Sequence, residues 1–313
     1  MSEDVRTPSI AACCAAAAGL LKGVVRPRPR DERFLRSLTD AGLPYATRTV
    51  TVTPLRQVAR PVPTAMIVEG RRSPRRIPNA LQTFVVTHPE ATFLVDPSLC
   101  LDVERRAVAQ LPAVLRAVMS PPGRTVATVT ALGEFDPAPA LDFALPTHAH
   151  WDHVCGLLDL PDLPVRLHTR ERDWVMDGLI APVGGVRDAL RGRTTVLYDL
   201  EGPPVLTFAA SHDLFGDGSV VLVDLAGHTP GSVGVLLHTE RGWVLLAGDA
   251  AWHSYQVEDL RQKSAFPGGL ADEDRGETFR TLHRLHAVRE RVGIVPTHDP
   301  DAARRLSSAV PVR

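Results

Sequence analysis

Apolar positions along this chain fall in short runs separated by Gly, Pro and Asp, and few of the runs keep a helical period. Residues 47–53, 64–69, 82–87 and 91–96 are rich in Val, Thr and Phe and predict four strands in the first third of the chain. His88-Pro89-Glu90 joins the last two, which makes His88 a solvent-exposed turn residue. Further runs at 141–145, 165–168, 219–225, 233–238, 243–246 and 292–295 predict a second set of strands. Helical spacing is found at 31–42, with Leu35, Leu38 and Ala41 on one face and Gly42 as the stop. It is also found at 101–119, where Val103, Val108, Leu111, Val114, Leu115 and Val118 give an apolar side. There Pro112 should kink or split the helix, and Pro121-Pro122-Gly123 should end it. Residues 169–177 and 272–290 complete the helices, the latter with His283 and His286 on its surface or against a sheet. Residues 126–132 fit a helix or a strand, and 178–192, rich in Gly, Pro and Arg, read as a loop able to form a lid or pocket wall.

The start of the chain reads differently. Residues 10–21 are apolar and alanine-rich, but the run is too short to span a bilayer, and the segment before it carries Glu3 and Asp4 where a secretory signal needs a basic start. It is expected as a helix or a partly disordered leader. Arg26-Pro27-Arg28-Pro29-Arg30 breaks it, so residues 1–44 are expected as a leader with a short helix and residues 45–313 as the functional domain.

Composition narrows the function classes. The chain has 313 residues, 44% apolar and 23% charged, as in ordinary soluble domains. A net charge of −1 gives no electrostatic footprint for nucleic acid or an anionic membrane. The four cysteines, Cys13, Cys14, Cys100 and Cys155, form no disulfide framework, which favours a reducing, cytoplasmic compartment. Cys155 is expected as a small buried apolar residue.

The chemistry is concentrated after the run 141–145. There His148-Ala149-His150-Trp151-Asp152-His153 puts three imidazoles and a carboxylate into six residues, a pattern expected by chance in about one chain in a thousand of this composition. Imidazole and carboxylate suit zinc, and also iron or manganese. In an extended loop His148 and His150 point one way, while Asp152 and His153 face another as a helix starts, which is more than one tetrahedral ion needs. Three later strand ends also deliver donors: His228, between Gly227 and Gly231; Asp249, after Ala247-Gly248; and His298, after Pro296-Thr297. His168 belongs to its strand and reads as structural. Seven donors suit two metals with three terminal ligands each and one bridging carboxylate, with room for a bridging water.

The ordered set His-x-His-x-Asp-His, Gly-His-Thr-Pro-Gly-Ser, Gly-Asp and Thr-His resembles the metallo-β-lactamase superfamily over roughly residues 45 to 300, with Phe93-Leu94-Val95-Asp96-Pro97 similar to the end of that family's early hairpin. The resemblance implies an α+β fold, a four-layered αβ/βα sandwich. It implies His148, His150 and His228 on one metal, Asp152, His153 and His298 on the other, and Asp249 as the bridge. The implied cofactor is two divalent ions, zinc first, and the implied reaction is attack of a metal-bridging hydroxide on the carbonyl of a lactone or ester, with Asp152 moving the proton. An aspartate bridge is typical of the glyoxalase II and lactonase branches rather than of the antibiotic-hydrolysing enzymes, which mostly carry cysteine there. Lactonases of the family typically carry tyrosine three residues after the bridge; here that residue is Trp252, with His253 and Tyr255 as further candidates for substrate contact. The alternatives are a thioester hydrolase of glyoxalase II type, against which stands the short stretch after His298, and an iron-dependent sulfur-oxidising oxidoreductase. The expected partner is a small molecule, with no nucleic acid and no membrane.

Overall fold

Two sheets carry the architecture. β1 (Thr51–Pro54), β4 (Phe84–His88), β5 (Ala91–Val95), β6 (Phe143–Leu145), β7 (Val165–His168) and β8 (Thr195–Tyr198) lie side by side in the order β1-β4-β5-β6-β7-β8. The second sheet runs β13 (Gly293–Val295), β12 (Gly242–Leu246), β11 (Val233–Thr239), β10 (Val220–Asp224), β9 (Ser211–Asp213). β2 (Arg60–Pro63) and β3 (Arg76–Asn79) form a separate antiparallel hairpin. The structure is a computed structural model and describes residues 9–111, 113, 116, 124–178 and 186–307.

Side-chain alternation within each strand makes the layers. Phe84, Val86, Phe93, Val95, Phe143 and Leu145 point at the other sheet and meet Val220, Leu222, Val233, Val235, Leu237 and Leu246. The residues between them, Val85, Leu94 and Ala144, point outward and pack with Val154, Val175, Val186 and Leu190 of the helical segments on that side. On the far side Val221, Val223, Leu236 and Leu245 pack against Phe279, Leu282, Leu285 and Val288 of the helix Arg275–Val288. Strands buried on both faces read as unbroken apolar runs. The result is the four-layered αβ/βα sandwich implied by the family resemblance.

Several local expectations give way. The strand expected at 64–69 is a helical turn, Thr64–Ile67, at the base of the β2–β3 hairpin. That hairpin is hard to read because Pro61, Pro63 and Pro78 remove ladder donors, which only a short edge pair tolerates. The helix at 31–42 is capped by Asp31, which accepts the Phe34 N–H at 2.9 Å, and stops at Ser37 because Leu38 is extended (φ −68°, ψ 130°). The helix at 101–119 is represented by Val103–Arg106 and a 3-10 turn, Val108–Gln110; Pro112, Val114, Leu115, Val118 and Pro121-Pro122-Gly123 lie outside the described residues. Residues 126–132 resolve to the helix Thr128–Leu132, and 178–192 contains the helix Val186–Leu190, with 179–185 outside the described residues.

His88 is a clear correction. It is buried, stacked on Phe215 with ring centroids 3.9 Å apart, and its Nε2 lies 2.9 Å from Asp217 Oδ2. The turn at 88–90 is covered by a loop more than a hundred residues away, which local pattern does not reveal. His283 is buried too: its Nδ1–H donates to Phe279 O and its Nε2 accepts the Asp31 N–H at 2.8 Å. Residues Ile10–Val25 form a helix capped by Ser9. Among the described residues no helix is long and apolar enough to cross a membrane.

Candidate metal centre

Every expected donor lies at the same edge of the sandwich, because each follows directly on a strand. Leu145 ends β6, the loop 146–150 follows, and Asp152 and His153 fall in the helical turn Trp151–Val154. His228 stands in the turn between β10 and β11. Its neighbour Gly227 has φ 130°, and a Cβ there would lie 2.3 Å from the Thr278 backbone nitrogen, so only glycine lets this turn rest on the helix Arg275–Val288. Asp249 sits in the 3-10 turn after β12, behind Gly248, whose Cβ would meet Thr147 Oγ1 at 2.6 Å. His298 follows β13.

The seven candidates converge as three overlapping sets, each with ligand atoms within 4.8 Å of one another: His148, His150 and His228; His148, His153 and Asp249; Asp152, His153 and His298. Within them His150 Nδ1 is 2.8 Å from His228 Nε2 and 3.1 Å from His148 Nε2. Asp249 lies between the groups, with Oδ2 3.3 Å from His228 Nε2 and Oδ1 3.1 Å from His298 Nε2 and 3.3 Å from His153 Nε2. Asp152 Oδ2 is 3.7 Å from His298 Nε2. Six of the seven are buried and His150 is half-buried.

Other buried groups hold this arrangement. Asp96, in left-handed conformation at the end of β5 (φ 53°), accepts the Thr147 N–H at 2.7 Å and the Thr147 Oγ1–H at 2.9 Å, and its Oδ2 is 2.9 Å from His153 Nδ1. Glu171, fully buried, accepts the Ala149 N–H at 2.7 Å, the Thr229 Oγ1–H at 2.7 Å and the Gly231 N–H at 3.0 Å, and so ties the His148–His153 loop to the His228 turn. His298 Nδ1–H donates to Ala80 O at 3.0 Å, which turns its Nε2 towards Asp249. Such outer partners orient ligands and fix tautomers.

The chemistry of the set fits two cations. His153 and Asp249 Oδ1 are buried and meet their partners off-axis: Nδ1 is 2.9 Å from Asp96 Oδ2 and Nε2 3.3 Å from Asp249 Oδ1, close ion-pair contacts without hydrogen-bond alignment, which leaves room for a further partner. Burial, and then the neighbouring imidazoles, push His148 and His150 well below the ordinary histidine value, so both rings offer lone pairs. Burial alone would lower His153, but Asp96 and Asp249 raise it well above that value; for His298 burial is likewise outweighed, by Asp249. Burial would raise Asp249, yet His298 and His153 hold it well below the usual carboxylate range. A cluster that otherwise gathers protons around one carboxylate is one where metal binding releases them.

The substrate candidates take other positions. Trp252 is buried against the centre: its Nε1–H donates to Asp249 Oδ2 at 2.5 Å, and its ring meets His298 edge-on at 5.8 Å. His253 caps the helix Ser254–Asp259, accepting the Tyr255 N–H at 3.1 Å, and lies 3.6 Å from Asp299. Tyr255 packs under the Arg71 guanidinium, 3.5 Å from the ring centroid. Neither contact involves a candidate metal ligand. His168 has a structural setting, buried with Nδ1 3.1 Å from Gly231 O, and Cys155 is buried with Sγ donating to Ser98 O.

Sequence reasoning missed the supporting acids. Asp96 carried the same signal as Asp249, an acid at the exit of an apolar strand. Glu171, on the helix Thr169–Met176, and Asp272, whose Oδ1 is 2.8 Å from His228 Nδ1, had no local signature. Trp174, which meets His150 edge-on at 5.7 Å, was missed as well.

Known proteins share much of this sequence and this fold. The family model of the metallo-beta-lactamase superfamily matches residues 78–298. The N-acyl homoserine lactonase AttM of Azorhizobium caulinodans is 28% identical over 225 residues, spanning 70% of this chain and 81% of that protein. A probable metallo-hydrolase of Mycobacterium tuberculosis is 32% identical over 173 residues, 50% of this chain and 54% of that protein. Among solved structures, an N-acyl homoserine lactone hydrolase with N-hexanoyl-L-homoserine bound at its catalytic metal centre superposes with a TM-score of 0.60 at 16% identity, covering 85% of this chain and 98% of that one, which is a likeness of fold.

Proposed function

The chain belongs to the metallo-β-lactamase superfamily, and from that premise we propose that it is a two-metal lactonase, with zinc as its metal and an N-acyl homoserine lactone or a related small lactone as its substrate. The observation that carries this reading is the convergence of His228, His153 and His298, drawn from the three overlapping donor sets, on one carboxylate, Asp249, at 3.1 to 3.3 Å. The relationship to AttM over most of both chains supports the choice of lactone.

In this reading His148, His150 and His228 would hold one ion and Asp152, His153 and His298 the other, with the Asp249 carboxylate available to both. Two such ions supply Lewis acidity and a water acidic enough to attack at neutral pH. The chain supplies the rest. Trp252 closes one side of the centre and fixes Asp249 through Oδ2, leaving Oδ1 turned towards His153 and His298. An indole has no phenolic proton to give, so proton transfer to the departing alkoxide falls to Asp152, which is buried and makes no strong contact beyond His298. Trp174 packs edge-on against the half-buried His150.

The test is elemental analysis of the purified protein together with turnover of lactones, aryl esters and glutathione thioesters. About two zinc per chain with preferred lactone turnover supports the proposal. Preferred thioester turnover would move the chain to the glyoxalase II branch. A single iron with no hydrolysis would replace the reading with sulfur oxidation.

A further inference from the structure

Lys263 is buried beside the candidate centre. Its Nζ ends 2.6 Å from Asp272 Oδ1 and 2.9 Å from His228 Nδ1, and Asp272 Oδ1 is itself 2.8 Å from His228 Nδ1. Lys22 and Lys263 are the two lysines among 35 basic residues, the others all being arginine. The surroundings explain a compact ammonium here. Nζ is 5.0 Å from the centroid of the Trp252 ring, and a Cβ on Gly268 would come within 2.6 Å of Lys263 Cβ and 3.3 Å of Trp252 Cζ3. The close approach of Gly268 holds the base of the lysine side chain against the indole, so its compact ammonium is aimed at Asp272.

The contacts also decide which way His228 presents itself. Its Nε2 faces His150 and Asp249. To offer a lone pair there, a neutral ring must carry its proton on Nδ1. That Nδ1–H donates to Asp272 Oδ1, and a protonated nitrogen cannot also accept from the lysine. Lys263 therefore acts on His228 through Asp272, by satisfying the buried carboxylate that receives the ring proton. It acts on a second candidate ligand as well, because the indole whose face it touches donates to Asp249. His228 belongs to the side of the centre that holds His148 and His150, whereas Asp249 lies between the two sides.

We propose that Lys263 and Asp272 are positioning residues for one metal of the pair: they fix His228 as an Nε2 donor, and without them the ion on the His148, His150 and His228 side is held less tightly while its neighbour is retained. The proposal rests on the two-metal reading above. The probe is zinc itself. Zinc-loaded parent protein and the variants Asp272→Asn and Lys263→Met are titrated with a chromophoric chelator, counting the zinc released in each phase, and ¹⁵N-histidine spectra report the His228 tautomer. Each variant should lose one zinc per chain about 10- to 100-fold more readily, with the second extracted as in the parent. The His228 signals should shift from the single Nδ1–H form to a mixture. Should Lys263→Met fail to fold, the nearly isosteric Asp272→Asn still decides the matter. Folded variants that release both zincs as the parent does, or release both equally faster, overturn the pairing alone. A parent that binds no zinc overturns the two-metal reading and the pairing with it.

Discussion

β5 has a buried histidine at each end, and the two differ in one respect. At the hairpin end, His88 is beside an aspartate, Asp217, and both its nitrogens are engaged: Nε2 with Asp217 Oδ2 and Nδ1 with the Glu90 N–H at 3.1 Å. At the other end, His153 is also beside an aspartate, Asp96, at the same 2.9 Å. There, however, neither ring nitrogen is aligned for a hydrogen bond: Nδ1 meets Asp96, and Nε2 meets Asp249 Oδ1 at 3.3 Å, only as off-axis ion pairs. Residue type, burial and an acidic neighbour are common to both ends. What separates a candidate site from a structural cluster is several buried donors converging on one carboxylate in contacts that are close but not aligned.

The contrast can be broken at either end. The largest effect is expected from Asp249→Ala or His150→Ala, where loss of several kcal/mol of electrostatic stabilisation lowers lactone hydrolysis roughly a thousandfold; far-UV circular dichroism should stay as in the parent, and full activity in either variant would end the two-metal reading. Glu171→Gln lies between the two regimes. An amide turns an NH2 group towards one of the three donors that Glu171 now accepts, so stability should fall by about 1–3 kcal/mol in urea unfolding, with zinc extracted more readily. At the hairpin end, His88→Gln should cost about 1–2 kcal/mol in the same assay and leave zinc content and kcat/KM unchanged; lost activity there would show the distinction to be wrong. The smallest effect concerns His283, held below the ordinary imidazole value by burial and hydrogen-bonded only as a neutral ring. Above about pH 6.5 it carries no proton penalty. Below that the unfolded chain takes up the proton first and stability falls. The fall in melting temperature on acidification should therefore be shallower in His283→Gln than in the parent.

The sequence made the donors legible because each of them directly follows an apolar run, and strand ends are easy to locate even when strand bounds shift by a residue or two. β7 was found at its observed bounds, Val165–His168. The sandwich itself was legible only through the family resemblance: runs such as 220–223 are apolar throughout because both faces are buried, and periodicity is silent on what covers each face. Partners remote in sequence were not legible at all. His88 looked like a turn residue because its cover, Phe215 and Asp217, arrives from far along the chain, and the β2–β3 hairpin was hidden by its prolines. Asp272 and Lys263 lie in a segment whose local pattern gives no hint that it closes over His228.

Asp96 also has a consequence in time. Its carboxylate receives hydrogen bonds from Thr147, 51 residues further on, and from Thr297, 201 residues further on. Contacts of such sequence separation are the last for a folding chain to gain, since the intervening loops must close before the contact repays their entropy. The centre they frame is therefore expected to form after the rate-limiting step, which refolding rates with and without zinc would check. An ion that recognises this geometry should therefore leave the speed of folding unchanged and act as a brake on its reversal, lengthening the lifetime of the native state.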